Sequence, residues 1–122
     1  PERLPAALAR RMKHRVRTAR GELYTVPCEA VFNNHPDVFR SALVGLGDGA
    51  VKTPAICIEL REKASLARKS GIRKELLALA RRNALTEEIG IVLFHPSFPV
   101  DVRHNAKIFR EQLAVWAAGE VK

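Results

Sequence analysis

The 122-residue chain has only two cysteines, Cys28 and Cys57, one methionine, one tryptophan and one tyrosine. Two thiols without CxxC spacing are too few for a disulfide scaffold, so reduced, packed thiols are expected. No apolar run approaches the roughly 18 residues of a membrane span, and no signal-peptide pattern opens the chain. Aromatic side chains make up 6% and are not interleaved with the basic ones, which weighs against a nucleic-acid partner. A Walker loop and a Ser-centred nucleophile elbow are also absent. His14, His35, His95 and His104 have no His or Cys partner at a zinc-like spacing, so no metal site is expected. The first residue is Pro1, as expected of a processed chain or of a piece of a longer one. The composition suits a cytoplasmic protein.

What is present is basic charge, unevenly placed. The formal net charge is +8, and residues 1–20 hold seven basic side chains against Glu2 alone. The other 102 residues hold fourteen basic against twelve acidic, close to balance. The 47% hydrophobic content is enough for one ordinary core, and the length allows one domain.

Leu4, Leu8 and Met12 put a narrow apolar stripe on a short basic helix. His14–Thr18 and Glu22–Val26, joined through Ala19-Arg20-Gly21, read as a β-hairpin. Arg15 and Arg17 alternate along its first strand and so share a face, which either meets phosphates or is simply wet. Pro27 can open a helix, with Glu29 in its first turn and His35-Pro36 beyond its end. Val38–Leu46 and Thr53–Leu60 read as antiparallel strands joined by a Gly-rich loop. That loop leads into a strand and not a helix, so Gly45-x-Gly47-x-Gly49 is expected to be a connection and not a dinucleotide site. Residues 64–83 carry Ile72, Leu76, Leu79 and Ala80 at helical spacing. Thr86-Glu87-Glu88 marks a turn or short helix, Gly90–His95 a short strand, and Phe109, Leu113 and Trp116 a last helix over 106–118. The order predicts an α+β domain: a small, mostly antiparallel three-stranded sheet flanked by helices, plus an N-terminal two-stranded hairpin.

Lys107 is the most informative single residue. It is expected in the first turn of the last helix, where a cation opposes the helix dipole unless an anion is near. Either a ligand anion meets it from a loop capped by Asn105, or it is a tolerated surface lysine. Cys28, near a helix start, is read as packing and not as a reactive thiol.

Taken together, these pieces resemble a family. The basic hairpin, the Glu29 helix, His35-Pro36, Ala42-Leu43-Val44-Gly45, and Lys107 followed by Ile108-Phe109-Arg110-Glu111-Gln112-Leu113 are similar to the C-terminal domain of adenylate-forming enzymes. The stretches Phe98–Lys107 and His14–Thr18 look most like the β-lactone synthetases of bacterial olefin biosynthesis, often labelled fatty acyl-CoA synthetases.

The resemblance implies a hinge segment over residues 1–13, from an N-terminal adenylation domain of the same chain, and a mobile C-terminal domain over 14–122. It implies ATP and Mg²⁺, bound mainly by the other domain, and a long-chain acyl or β-hydroxy acid substrate. Alone, the 122 residues would be inactive. Lys107 takes the position of the family's catalytic lysine, which contacts the substrate carboxylate and the ATP phosphate region. Lys13 takes the hinge position, flanked by Met12 and His14. Arg15, Arg17 and Gly21 fall on the hairpin that approaches the active site in the second domain orientation. Three positions depart from the pattern: Ala106 stands for a glycine, Lys13-His14 for an acidic pair, and Gly21-Glu22-Leu23-Tyr24 for a Gly-aromatic-Arg run. These weigh against coenzyme A and for internal capture of the acyl-adenylate. A coenzyme A ligase and, from another class, a small basic nucleic-acid-binding module are the alternatives.

Overall fold

The computed structural model describes residues 15–101, 107–108 and 110–121. Strands β1 (Arg15–Thr18) and β2 (Gly21–Tyr24) form the hairpin, with Arg15 opposite Tyr24 and Arg17 opposite Glu22. Only Ala19 and Arg20 lie between them, because Gly21 already pairs with Thr18. Gly21 has φ +136°, a conformation that side chains with a Cβ rarely adopt, so the turn depends on glycine here.

Helix α1 (Thr25–Phe32) starts two residues before Pro27. The proline still lies in the first turn, where the backbone N–H it lacks would have had no helical partner. Glu29 is consequently not in the first turn, as the sequence suggested, but buried in the body of the helix.

Strands β3 (Val38–Leu46) and β4 (Thr53–Leu60) match the expected bounds and pair antiparallel, with Leu43 opposite Ile56. Helix α2 (Leu66–Arg81) is capped by Ser65, whose side chain accepts the Arg68 N–H at 3.1 Å, and it buries Ile72, Leu76 and Ala80. After the turn around Thr86, β5 (Val92–Phe94) pairs with β4 in parallel. The sheet order is β3-β4-β5, so the three-stranded sheet is mixed. A helical crossover between β4 and β5 is what allows the parallel pairing.

Both faces of this sheet are covered. Leu43, Ile56 and Ile58 face α1 and α2, where Cys28, Phe32, Ile72 and Leu76 close the larger core. Ala42, Val44, Ala55 and Cys57 face the other way, against Phe98, Leu113 and Ala117. Double coverage explains why β4 reads as a continuous apolar run and not as an alternation. The small residues Ala42, Ala55 and Cys57 let the second layer lie close to the sheet. That layer is α3 (Arg110–Glu120), preceded by a ribbon of β6 (Val100–Asp101) and β7 (Lys107–Ile108).

Candidate functional site

Lys107 lies in β7, with its backbone opposite Asp101, and α3 begins three residues later at Arg110. The expected placement in the helix's first turn is therefore corrected. The cation that does stand at the helix start is Arg110, and it has its anion. Its guanidinium makes a two-pronged contact with the Glu29 carboxylate, at 2.5 and 3.0 Å. Glu29 Oε2 also accepts the Leu43 N–H at 2.8 Å. As β3 is an edge strand, that N–H points away from β4 and has no strand to receive it. The Glu29–Arg110 pair thus joins helices on opposite faces of the sheet around its β3 edge.

A second buried carboxylate holds the approach to the ribbon. Glu59 on β4 accepts the Phe98 N–H at 2.8 Å and the Arg40 Nε–H at 2.7 Å. The Arg40 guanidinium also stacks 4.8 Å from the Phe39 ring centre and 5.7 Å from that of Phe98. Phe98 is buried, and Val100 and Ile108 pack half-buried on the same core. His95 sits edge-on to Trp116, with ring centres 4.5 Å apart. The Lys107 ribbon is therefore tied to the domain on both sides, and sequence reasoning missed both ties. The sequence pattern identifies Glu29 only as a helix residue and leaves Glu59 within the strand Thr53–Leu60.

The hairpin residues Arg15 and Arg17 are exposed on one face, as their alternation implied. Both reach Glu22 on the facing strand, at 3.7 and 2.9 Å. The Arg17 hydrogen bond, with the charges of both arginines, holds the Glu22 carboxyl below its ordinary range. This face borders a hollow of about 360 Å³ that Gly45 and Lys52 also line. Lys52 donates its N–H to Arg17 O at 2.7 Å and its ammonium to Gly47 O at 2.5 Å, docking the hairpin on the β3–β4 loop. The turn is pinned on its other side by Arg20–Glu87 at 2.9 Å and by the Thr18 hydroxyl beside Glu88 at 3.0 Å. Hairpin and ribbon are thus anchored to different parts of the domain. Lys13, with Met12, His14, His104, Asn105 and Ala106, lies outside the described residues.

The remaining candidates take structural places. His35 is buried, with Nδ1 accepting the Asp37 N–H at 3.1 Å and Nε2 2.6 Å from Glu75. Cys28 and Cys57 are free, buried and on opposite sides of the sheet. Burial, with the Glu29 charge adding to it, pushes their thiols up to about 11 and about 12. That is the reverse of an activated nucleophile. The glycine triplet links β3 to β4, as expected.

Comparison with known proteins now adds to this geometry. No family model matches the chain. It is 45% identical over 108 residues to an olefin beta-lactone synthetase of Xanthomonas campestris, covering 88% of this chain and 19% of that protein. It is 48% identical over 114 residues to an olefin beta-lactone synthetase of Stenotrophomonas maltophilia, covering 92% of this chain and 20% of that one. The chain is homologous to part of the olefin beta-lactone synthetases. It spans about a fifth of the length of these relatives. Solved structures share its fold at low identity. An acyl-CoA synthetase of Brucella canis matches with TM-score 0.70 and 16% identity over 92% of this chain and 20% of that one. An ATP-bound RpMatB–BxBclM chimera matches with TM-score 0.70 and 21% identity over 87% of this chain and 21% of its own. The chain therefore shares its fold with about a fifth of each of these solved proteins. No helix among the described residues is long and apolar enough to cross a membrane.

Proposed function

We propose that the chain is the mobile C-terminal domain of a cytoplasmic, ATP-dependent acyl-adenylating enzyme that closes β-lactones. Residues 1–13 would form the hinge segment, with Lys13 as pivot, and 14–122 the domain. One observation carries the reading: identity of 45–48% to olefin beta-lactone synthetases across most of this chain. The anchored ribbon beneath Lys107 supports it.

The chemistry has two steps. A carboxylate oxygen of a long-chain β-hydroxy acid attacks the α-phosphorus of ATP, the bond to the β-phosphate oxygen breaks, and pyrophosphate leaves. The β-hydroxyl oxygen then attacks the acyl carbon of the resulting acyl-adenylate. The bond to AMP breaks, the hydroxyl proton is lost, and a four-membered lactone closes. Lys107 acts in the first step, where its positive charge opposes the negative charge that builds on carboxylate and phosphate oxygens. Among the described residues, no group of three or more His, Cys, Asp or Glu side chains is arranged to hold a metal ion. Mg²⁺ is therefore assigned no ligand among the described residues.

The test is ATP–pyrophosphate exchange by the full synthetase that contains this chain. Loss of one such charge-stabilising group typically lowers the rate by about 10²–10³-fold, and Lys107→Ala is expected to fall in that range. Undiminished exchange would remove Lys107 from the mechanism. Mass spectrometry of the products with coenzyme A supplied tests the acceptor: a thioester in place of the lactone would make the enzyme a coenzyme A ligase.

A further inference from the structure

Glu29 and Glu59 are the only acidic side chains buried among the described residues. Both are spent on the two ends of one small feature. Glu59 holds Phe98, two residues before β6, and Glu29 holds Arg110, three residues after Lys107. Among the described residues, the ribbon pairs Val100 with Ile108 and Asp101 with Lys107. A two-stranded ribbon by itself is marginally stable at best, so its position depends on what flanks it. Three residues of chain reach at most about 11 Å, so the direction of Arg110 limits where the Lys107 backbone can sit.

Stability alone does not account for these carboxylates. A buried ion pair is commonly no more stable than a well-packed apolar pair of similar volume. What a bidentate carboxylate–guanidinium contact adds is a fixed direction. Glu29 also takes the edge N–H of Leu43, and Glu59 also takes Arg40, so each carboxylate is itself fixed to the sheet.

We propose that Glu29, through Arg110, and Glu59, through Phe98, are positioning residues that fix the Lys107 ribbon on the sheet for the adenylation step. The proposal rests on Lys107 acting as described above. Neither carboxylate touches substrate; both act through the ribbon.

The full synthetase serves for the test, with ATP–pyrophosphate exchange as the first readout. Misplacement of a reacting group by about 1 Å can cost 10²-fold, so Glu29→Gln and Glu59→Gln should lower the exchange kcat by roughly 10- to 100-fold. KM for ATP should change far less. Arg110→Lys keeps the charge but not the fork, and should lie between wild type and Glu29→Gln. The discriminating variant is Glu29→Gln combined with Lys107→Ala, which should be no slower than Lys107→Ala alone. If the two losses multiply instead, Glu29 acts on the protein at large and the proposal is wrong. Should Glu29→Gln fail to fold, Glu59→Gln with and without Lys107→Ala carries the same comparison.

A second readout separates this proposal from the Lys107 assignment. Amide exchange at residues 100–101 and 107–108 should quicken in Glu29→Gln while the β3–β4 amides keep their protection. That result supports the clamp even if Lys107→Ala proves fully active, which would instead overturn the lysine's role. Unchanged exchange at those four amides overturns the clamp.

Discussion

Gly45→Ala adds one methyl group where the hairpin rests on the sheet, and the geometry determines its sign. A Cβ built there lies 2.8 and 2.9 Å from Lys52 Cβ and Cγ, and 3.1 Å from Val16 Cγ1. Two of those distances are too short for carbon atoms to keep. The Lys52 atoms belong to the root of its side chain, held by the N–H bond to Arg17 O at one end and by the ammonium on Gly47 O at the other. Val16 is buried and has no free direction. Overpacking of this kind costs about 1–3 kcal/mol. Removing a glycine from a strand returns about 0.5–1 kcal/mol of backbone entropy. The net effect expected is a loss of roughly 1 kcal/mol, within bounds of about 0–2.5, because the overpacking term is the larger. For a domain of this size, roughly 4 °C of Tm accompanies each kcal/mol, so a fall of about 4 °C is expected. Urea unfolding gives the free energy, and amide exchange at Lys52 tells whether the hairpin has lifted. Gly71→Ala is the internal control: it lies within α2 with nothing within 4 Å of its added Cβ. There the methyl should stabilise by about 0.5–1 kcal/mol. If Gly45→Ala were as stable as wild type with Lys52 still protected, the close-approach argument would be refuted.

Two further outcomes are expected. Neither Cys28 nor Cys57 should react with a thiol reagent at pH 8 in the folded protein, while both should react in denaturant; mass spectrometry reads the difference. Their thiols are raised from an ordinary value of 9.0 to about 11 and about 12 in the folded state. The folded state therefore keeps protons that the unfolded state has already lost. The stability this gives is full below pH 9 and disappears as pH rises through about 11 and 12, so unfolding curves should show a steep alkaline loss that Cys57→Ala reduces. The second outcome concerns the hairpin. Glu22 offsets one of the two positive charges of Arg15 and Arg17, so Glu22→Gln should increase retention of DNA in a low-salt filter assay, as should acidification that protonates Glu22. Equal retention by wild type and variant would mean that the two arginines face no anion in either case.

Where structure followed from nearby residues, the sequence was enough. The bounds of β3 and β4 are marked by a glycine-rich loop between two apolar runs, and α2 by its 3.6-residue stripe of Ile72, Leu76 and Ala80. The hairpin is marked by alternating arginines about a glycine turn. The features that were not legible depend on distant partners. Glu29 and Arg110 are 81 residues apart and Glu59 and Phe98 are 39 apart, and no periodicity relates them. The parallel β4–β5 pairing could have been anticipated, since a helix separates the two strands. The stripe of Phe109, Leu113 and Trp116 predicts a helix that reaches back over Lys107. Pairing with Asp101, six residues earlier, takes that segment into a strand instead.

The strand position removes one electrostatic reason to single out Lys107. In a first helical turn its charge would have been unfavourable, and a ligand anion would have been one way to explain it. In β7 the dipole gives no such reason. The same electrostatic problem reappears at Arg110, the first residue of α3, and there the protein resolves it internally with Glu29. Because Glu29 also holds the β3 edge, the neutralised helix start becomes a fixed point of the sheet from which β7 runs back. Lys107 is therefore singled out by the family resemblance and by this anchorage. The two can fail separately: the lysine's proposed role through Lys107→Ala, and the anchorage through the combined variant with Glu29→Gln.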